Sequence, residues 1–503
     1  MNTKTAKFLT MLFTALVLIL SPMLLTSCNL KTVTPDILPT ETPSFTEPQK
    51  TPENTETAAS AETAASTETP APIETIIASE TPYATETPFA TETAADTKEP
   101  KPTETPDPFD GFTVPTIYIN TSDGKDITSK EVYVDGTLSD TTGLADIKCR
   151  IRGRGNTTWR DFGKIKPSYR LKIESKESLG GIGGPAGKDY VLIANYSDLT
   201  MLRNYIALTL GKRLENISYT SEIKFVNIVL NGKDRGLYLL CTKIKIAESR
   251  INIESDETGV TADTGYLLEL DKRAAQENEP YFTIPGTKYN FSIKSNTTSK
   301  LQIDYITNTI NTFYERCGIG DKELVEEIAD IDSIVDMFIL EEFVKDRDVG
   351  FASFYIIKEA GGKIKFSCPW DFDLSLGNDN DNPSPEGLIT EVKNSLDTNP
   401  NPFFVSLWKQ QWFKDLVYKR FMEVKGTILS VIDDYMKTAE LLRESNDRNN
   451  AIYNMYGRKI FKEPRNFYKE LLTYDDHVLF LKNWMTERLL WLEGCFKQNS
   501  MNG

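Results

Sequence analysis

An α+β fold is predicted, with a sheet-rich first lobe, a helical second lobe and a long disordered linker ahead of both. Three observations predict it. Short runs of alternating apolar and polar residues fill the chain from about Phe112 to Leu270, and from Leu301 onward apolar residues recur at helical spacing. Residues 29–110 hold hardly any large apolar side chain. Such a segment cannot bury enough surface to offset its ordering entropy.

At the start, Lys4 and Lys7 precede the almost wholly apolar run Phe8–Leu25, which ends in Leu25-Thr26-Ser27-Cys28. This is the pattern of a bacterial signal peptide with a lipobox (residues 1–28), and Cys28 is expected to become the lipidated N-terminus. An uncleaved membrane helix is the alternative, because the run is about long enough to span; Ser21-Pro22 and the lipobox favour cleavage. Both readings put the rest of the chain in an extracytoplasmic position, tethered to the membrane at the bacterial cell surface. In the linker, residues 29–110, Glu recurs every six residues from Glu56 to Glu92, commonly as Glu-Thr-Pro or Glu-Thr-Ala. A flexible chain of that length reaches about 50 Å.

The net charge of −16 is unevenly spread: 16 acids against 4 lysines between Lys31 and Asp110 leave the folded part mildly acidic. Nucleic acid is therefore not an expected partner. His477 is the only histidine, so Ser-His-Asp and Cys-His catalysis and HExxH zinc sites are excluded. None of the six cysteines forms C-x-x-C. Apart from Cys28 they read as small buried hydrophobes.

The folded part, residues 111–500, opens with the predicted strands VPTIYIN, EVYVDG and IKCRIRGRG. Arg150, Arg152 and Arg154 alternate along the third, so they project on one side of it. A further strand, Lys164–Ile173, carries Lys166 and Lys172. The loop GGIGGPAGK at Gly180–Lys188 is not a Walker A motif, having Ile182 where glycine is needed and Asp189 where Ser or Thr is needed. A strand at Tyr190–Ala194 follows, then a helix Asp198–Leu214 with Asp198 as N-cap, and strands at Lys224–Leu230, Leu237–Leu240 and Tyr266–Leu270. Asn231-Gly232 predicts a tight hairpin turn between the first two of these. Helical periodicity marks Tyr305–Arg316, Ile331–Val344, Phe403–Val431 and Phe467–Phe496.

The chemistry concentrates in Val344–Gly377. Asp346 and Asp348 precede a predicted β-hairpin, FASFYII, a Glu-Ala-Gly-Gly turn and KIKFS, and Asp371 and Asp373 follow it. A hairpin folds its ends together, so both acidic pairs can face one pocket. Carboxylates set beside Trp370 and Phe372 are costly to bury unless a cation pairs them. In protein kinases one Asp accepts the proton of the substrate hydroxyl while a second holds Mg²⁺ on the nucleotide phosphates.

Several long motifs stand in one order: RGRGNTTW (152–159), KPSYRLKI (166–173), KDYVLIANYSDLTMLRN (188–204), NGKDRGLYLL (231–240), GYLLELD (265–271), KDRD (345–348) and PWDFDLSLGN (369–378). In these the chain resembles the spore coat protein H (CotH) kinase family from about Thr113 to Cys495. The resemblance implies an atypical protein-kinase-like, two-lobed domain that transfers phosphate from ATP, with Mg²⁺ or Mn²⁺, to Ser or Thr of surface or spore-coat proteins. By the same resemblance Asp348 is the catalytic Asp, Asp371 the metal-binding Asp and Asp373 a second possible ligand. Ser353 stands where ordinary protein kinases place a metal-binding Asn, and Thr242 where the family's Glu is expected. Arg152 and Arg154, with Lys166 or Lys172, are the expected phosphate contacts. The rival reading is a catalytically weak kinase-shaped scaffold that binds coat, matrix or cell-wall partners.

Overall fold

The computed structural model describes residues 114–501, except 278, 298 and 392–399. The signal peptide with Cys28 and the whole linker, residues 29–110, lie outside the described residues. Among the described residues no helix is long and apolar enough to cross a membrane.

Strand alternation builds a closed seven-stranded barrel. Its members are β1 (Thr116–Thr121), β2 (Val134–Asp140), β3 (Ile147–Arg154), β4 (Ser168–Glu177), β5 (Gly187–Ile193), β6 (Ile223–Leu230) and β7 (Lys233–Thr242). Their order around the barrel is β1-β2-β3-β4-β5-β7-β6, closed by the parallel pairing of β1 with β6. Ile151 pairs Leu171 and Cys149 pairs Ile173, and these side chains fill the interior with Ile117, Ile119, Leu192 and Tyr238. The arginines of β3 consequently stand on the outer face. Gly153 lies on the inner row because a Cβ there would come within 2.0 Å of the Trp159 ring. Asn231 and Gly232 both have positive φ, +50° and +74°, as a type I′ turn requires.

A second sheet, order β12-β11-β8-β10-β9, joins β8 (Tyr266–Leu270), β9 (Tyr281–Thr283) and β10 (Asn290–Ile293) to the hairpin β11 (Phe354–Lys358) and β12 (Ile364–Ser367). The predicted hairpin is thus present but is not free-standing: β11 pairs with β8 from Phe354↔Leu270 to Lys358↔Tyr266. The helices are α1 (Thr157–Phe162), α2 (Arg203–Arg213), α3 (Lys300–Ile319), α4 (Lys322–Ile328), α5 (Ile331–Val344), α6 (Pro402–Leu407), α7 (Gln411–Leu441), α8 (Arg443–Tyr453), α9 (Phe467–Glu470) and α10 (Tyr474–Met501). All residues of α5 except Asp332 are buried. A helix with no polar face belongs at the centre of a core, and α7 and α10 pack against it.

Three helix boundaries differ from the periodicity, each for a local reason. Helix α2 begins at Arg203 rather than Asp198, because the Asp198 carboxylate accepts hydrogen bonds from Thr200 N–H (3.0 Å) and Arg203 N–H (2.8 Å) and holds the intervening residues as a loop. The stretch Phe403–Val431 is two helices. Asn401 caps α6, and extended backbone at Gln410 interrupts the run before α7. Between α9 and α10 the Asp476 carboxylate accepts from Leu472 N–H and Thr473 N–H and fixes a turn. The fold is therefore a mixed α+β architecture with a β-rich N-terminal region and a helical C-terminal region, crossed by the one hairpin that returns to the second sheet.

Candidate active site

The site forms where the buried helix α5 ends. Lys345 closes it in the left-handed region (φ +52°) and is anchored by its Nζ to the carbonyls of Ser384 and Glu386. The following side chains alternate. Asp346 turns inward and is 4% exposed, Arg347 pairs with Asp379 (2.5 Å) and Asp381 (2.8 Å), and Asp348 keeps partial solvent contact. The Asp348 carbonyl accepts from Phe351 N–H and Ala352 N–H, which folds the chain into β11. At the far end of the hairpin Leu376 N–H donates to the Val344 carbonyl (2.7 Å), so the two acidic pairs are brought together as a hairpin predicts.

Asp371 is held with φ +74°, a conformation rare for a residue with a Cβ. Two neighbours over-determine it. Phe372 is fully buried and its N–H donates to Asn204 Oδ1 (2.9 Å), while Ser353 Oγ donates to Asp371 Oδ2 (3.3 Å). Asp373 accepts from Ser197 Oγ (2.7 Å), and Asn378 Nδ2 donates to the carbonyls of both Ser197 and Asp373. Arg203, paired with Asp198 at 2.5 Å, donates through Nε to the Ser375 carbonyl. The motif 188–204 is thus a clamp on the motif 369–378.

Electrostatics follow from this crowding. Burial and then the charge of Asp371 push the Asp348 carboxyl up to about 6, against the pull of Arg347, Lys462 and Arg273. Burial and then Asp371 push Asp373 up to about 7. Asp346 is pushed well above the usual carboxylate range by burial and then by Glu341, and its Oδ1 has no hydrogen-bond partner. Asp346 is therefore enclosed, whereas Asp348 keeps its contact with solvent.

Among the expected phosphate contacts only Arg154 reaches this region. Its guanidinium lies 5.4 Å from the ring centre of Trp370, the residue before Asp371. The structure does not bring Lys166 to the acids. It is 1% exposed, with Nζ donating to the Leu237 carbonyl (2.6 Å) and facing the rings of Tyr238 and Tyr453. Burial drives its pKa well down, and nothing at that position meets a phosphate. Arg152 and Lys172 instead gather on the ring of Tyr133, on the outer face of the barrel. Thr242 is committed to Tyr219 Oη and Glu222 N–H. Sequence reasoning missed Arg273, whose charge is felt by both Asp348 and Asp371 and whose side chain lies over Phe351. Its position just after GYLLELD was the available signal. It also missed Lys462, which no motif marks.

The site fits a divalent cation bound with phosphates. Burial and the charge of Asp371 raise the proton affinity of both Asp348 and Asp373, a strain that a cation relieves. Among the described residues no three His, Cys, Asp or Glu side chains close into a metal cage. Mg²⁺ needs none, since it takes one or two carboxylates and completes its shell with water and substrate phosphates.

Comparison with known proteins agrees with these elements. The chain is 24% identical over 238 residues to the inner spore coat protein H of Bacillus subtilis (strain 168), an alignment covering 44% of this chain and 57% of that relative. Residues 150–492 match the CotH kinase protein family model, which takes in the outer strands of the barrel, the clamp and both acidic pairs. With more than half of its length matched, the chain belongs to the CotH kinase family.

Proposed function

We propose that the protein is an exported, kinase-like phosphotransferase acting on Ser or Thr hydroxyls of surface or spore-coat proteins. The observation that carries this is the asymmetry at the hairpin ends: Asp348 is partly open to solvent with its carboxyl raised to about 6, while Asp371 is locked by Phe372 and Ser353. Asp348 accepts the proton of the acceptor hydroxyl as its oxygen bonds to the γ-phosphorus and the bond from that phosphorus to the bridging oxygen breaks. Asp371 and Asp373, with Ser353 beside them, would hold Mg²⁺ or Mn²⁺, which when bound neutralises charge on the phosphates. Arg154 and Arg273 supply fixed positive charge next to the same acids. Cys28, lipidated, would tether the enzyme outside the membrane.

Incubation of the full chain with γ-radiolabelled ATP, Mg²⁺ and casein or a Thr-rich peptide tests the reading. Label is expected in the acceptor with wild type, and a drop of at least about 10³-fold with Asp348→Asn or Asp371→Ala. Labelling by both variants at the wild-type rate would sink the assignment.

A further inference from the structure

The outer face of β3 and β4 carries more positive charge than the reaction uses. Arg150, Arg152 and Lys172 converge on one aromatic ring, Tyr133, at 5.7, 5.1 and 5.4 Å from its centre. Among the described residues none of the three has an ion-pair partner within 4 Å, and Arg152 donates to the carbonyls of Lys130 and Gly153. The Tyr133 hydroxyl is buried and has no hydrogen-bond partner. Three cations gathered on one ring whose buried hydroxyl lacks a partner favour an anionic group.

Beside this cluster runs a groove of about 740 Å³, lined by Lys148, Arg150, Lys172 and Lys188. Two of its three carboxylates are already engaged, Glu174 with Lys148 (3.8 Å) and Asp189 with Lys245 (2.6 Å); the third is Asp135. The face therefore holds surplus cations. It also leads to the candidate active site. Arg154, against Trp370, stands four residues along the same strand from Arg150, a distance of about 13 Å. An extended polypeptide covers that distance in four or five residues.

We infer that this groove binds an acidic flank of the acceptor polypeptide, so that Ser or Thr hydroxyls with a Glu or Asp several residues away are the preferred substrates. The inference rests on the phosphotransferase reading above for its consequence, but its binding step is measurable without catalysis. Guanidinium groups favour carboxylates through paired hydrogen bonds, and Arg154, on the same strand as Arg150 and Arg152, lies against Trp370 beside Asp371. The chain's own composition supplies a suitable probe. Residues 80–92, ETPYATETPFATE, place Thr85 five residues after Glu80 and Thr87 five before Glu92.

The test titrates the full chain into a fluorescently labelled peptide of that sequence, and into its counterpart with every Glu replaced by Gln, at low and at physiological salt. The acidic peptide is expected to bind about tenfold tighter than its counterpart, with the difference shrinking as salt rises. Arg150→Glu with Lys172→Glu removes the difference. The milder Tyr133→Phe, which keeps the ring, lowers acidic-peptide affinity a few-fold. Equal binding of the two peptides, or discrimination untouched by both variants, overturns the inference. So does full displacement of the peptide by Mg²⁺-ATP, which would make the face a nucleotide site. Discrimination in binding with no label transferred to any acceptor upholds the docking face and counts against the phosphotransferase reading.

Discussion

His477 shows how much one residue can hold at the scale of a single ring. It is 2% exposed, stacked on Tyr456 at 5.6 Å and edge-on to Phe467, with Nε2 unpartnered. Burial and then the charge of Arg203 hold its pKa down at about 4, with Asp198 and Asp476 pulling the other way. The sign follows from proton counts. Between pH 6.5 and about 4 the unfolded chain binds a proton at this position that the folded chain does not, so stability rises with pH through that window and falls on acidification. The loss near pH 4 amounts to about 3 kcal/mol at most. In His477→Phe the urea midpoint is expected to depend less on pH between 4 and 6.5, at unchanged m-value. An identical pH dependence in the variant would assign the acid sensitivity to other groups. That His477 is the lone histidine was legible in the sequence, whereas its depressed pKa rests on burial and then on Arg203, which is remote in sequence.

At the scale of elements, legibility tracked how local each cause is. Helix α5, strand β8 and the hairpin β11–β12 were visible because apolar residues at helical spacing, a short apolar strand and a Gly-Gly turn are all short-range signals. Barrel closure was not visible, because the parallel pairing of β1 with β6 joins residues more than 100 positions apart. The same distinction divides the site. The two acidic pairs could be named from spacing around a hairpin, the resemblance then picking out Asp348, Asp371 and Asp373, and the alternation of β3 put its arginines on one face. Which arginine meets the acids is decided by Trp370, and the burial of Lys166 by the packing of Tyr453 against the barrel. The clamp between residues 195–204 and 369–378 makes its own prediction. Asn204→Ala leaves the buried Phe372 N–H and Asn195 Oδ1 without a partner, at a cost of about 1–3 kcal/mol. Because Asn204 touches neither substrate nor metal, it is a positioning residue. The Mg²⁺ concentration giving half-maximal transfer is expected to rise about 10- to 100-fold. A variant that loses thermal stability with unchanged Mg²⁺ dependence would limit Asn204 to a structural role.

Among the described residues one continuous core runs from Val191, Leu239 and Cys241 on the barrel, through α5, to Trp484 and Phe496 on α10, beside a separate core inside the barrel. At its centre Arg488, fully buried, donates to the Glu342 carbonyl and to Glu342 Oε2 (3.1 Å), and Glu342 accepts from Ile389 N–H and Thr390 N–H. Removing one partner of a buried ion pair costs about 3–5 kcal/mol, since the other charge remains enclosed. Arg488→Met should therefore lower Tm by about 5 °C in a domain of this size. Ligand linkage acts on the same cooperative unit from the opposite side. Mg²⁺-ATP at 100 times its Kd adds about 2.7 kcal/mol, or about 3 °C here. The two effects are separable. Arg488→Met, whose side chain bonds Glu342 and not Asp348, Asp371 or Asp373, should start lower and keep the nucleotide shift, whereas Asp371→Ala should start near the wild-type Tm and lose it. Differential scanning fluorimetry of the three proteins with and without Mg²⁺-ATP reads both at once. A wild type unmoved at millimolar nucleotide would favour the scaffold reading over the enzyme, and a shift retained in Asp371→Ala would move the metal to other ligands.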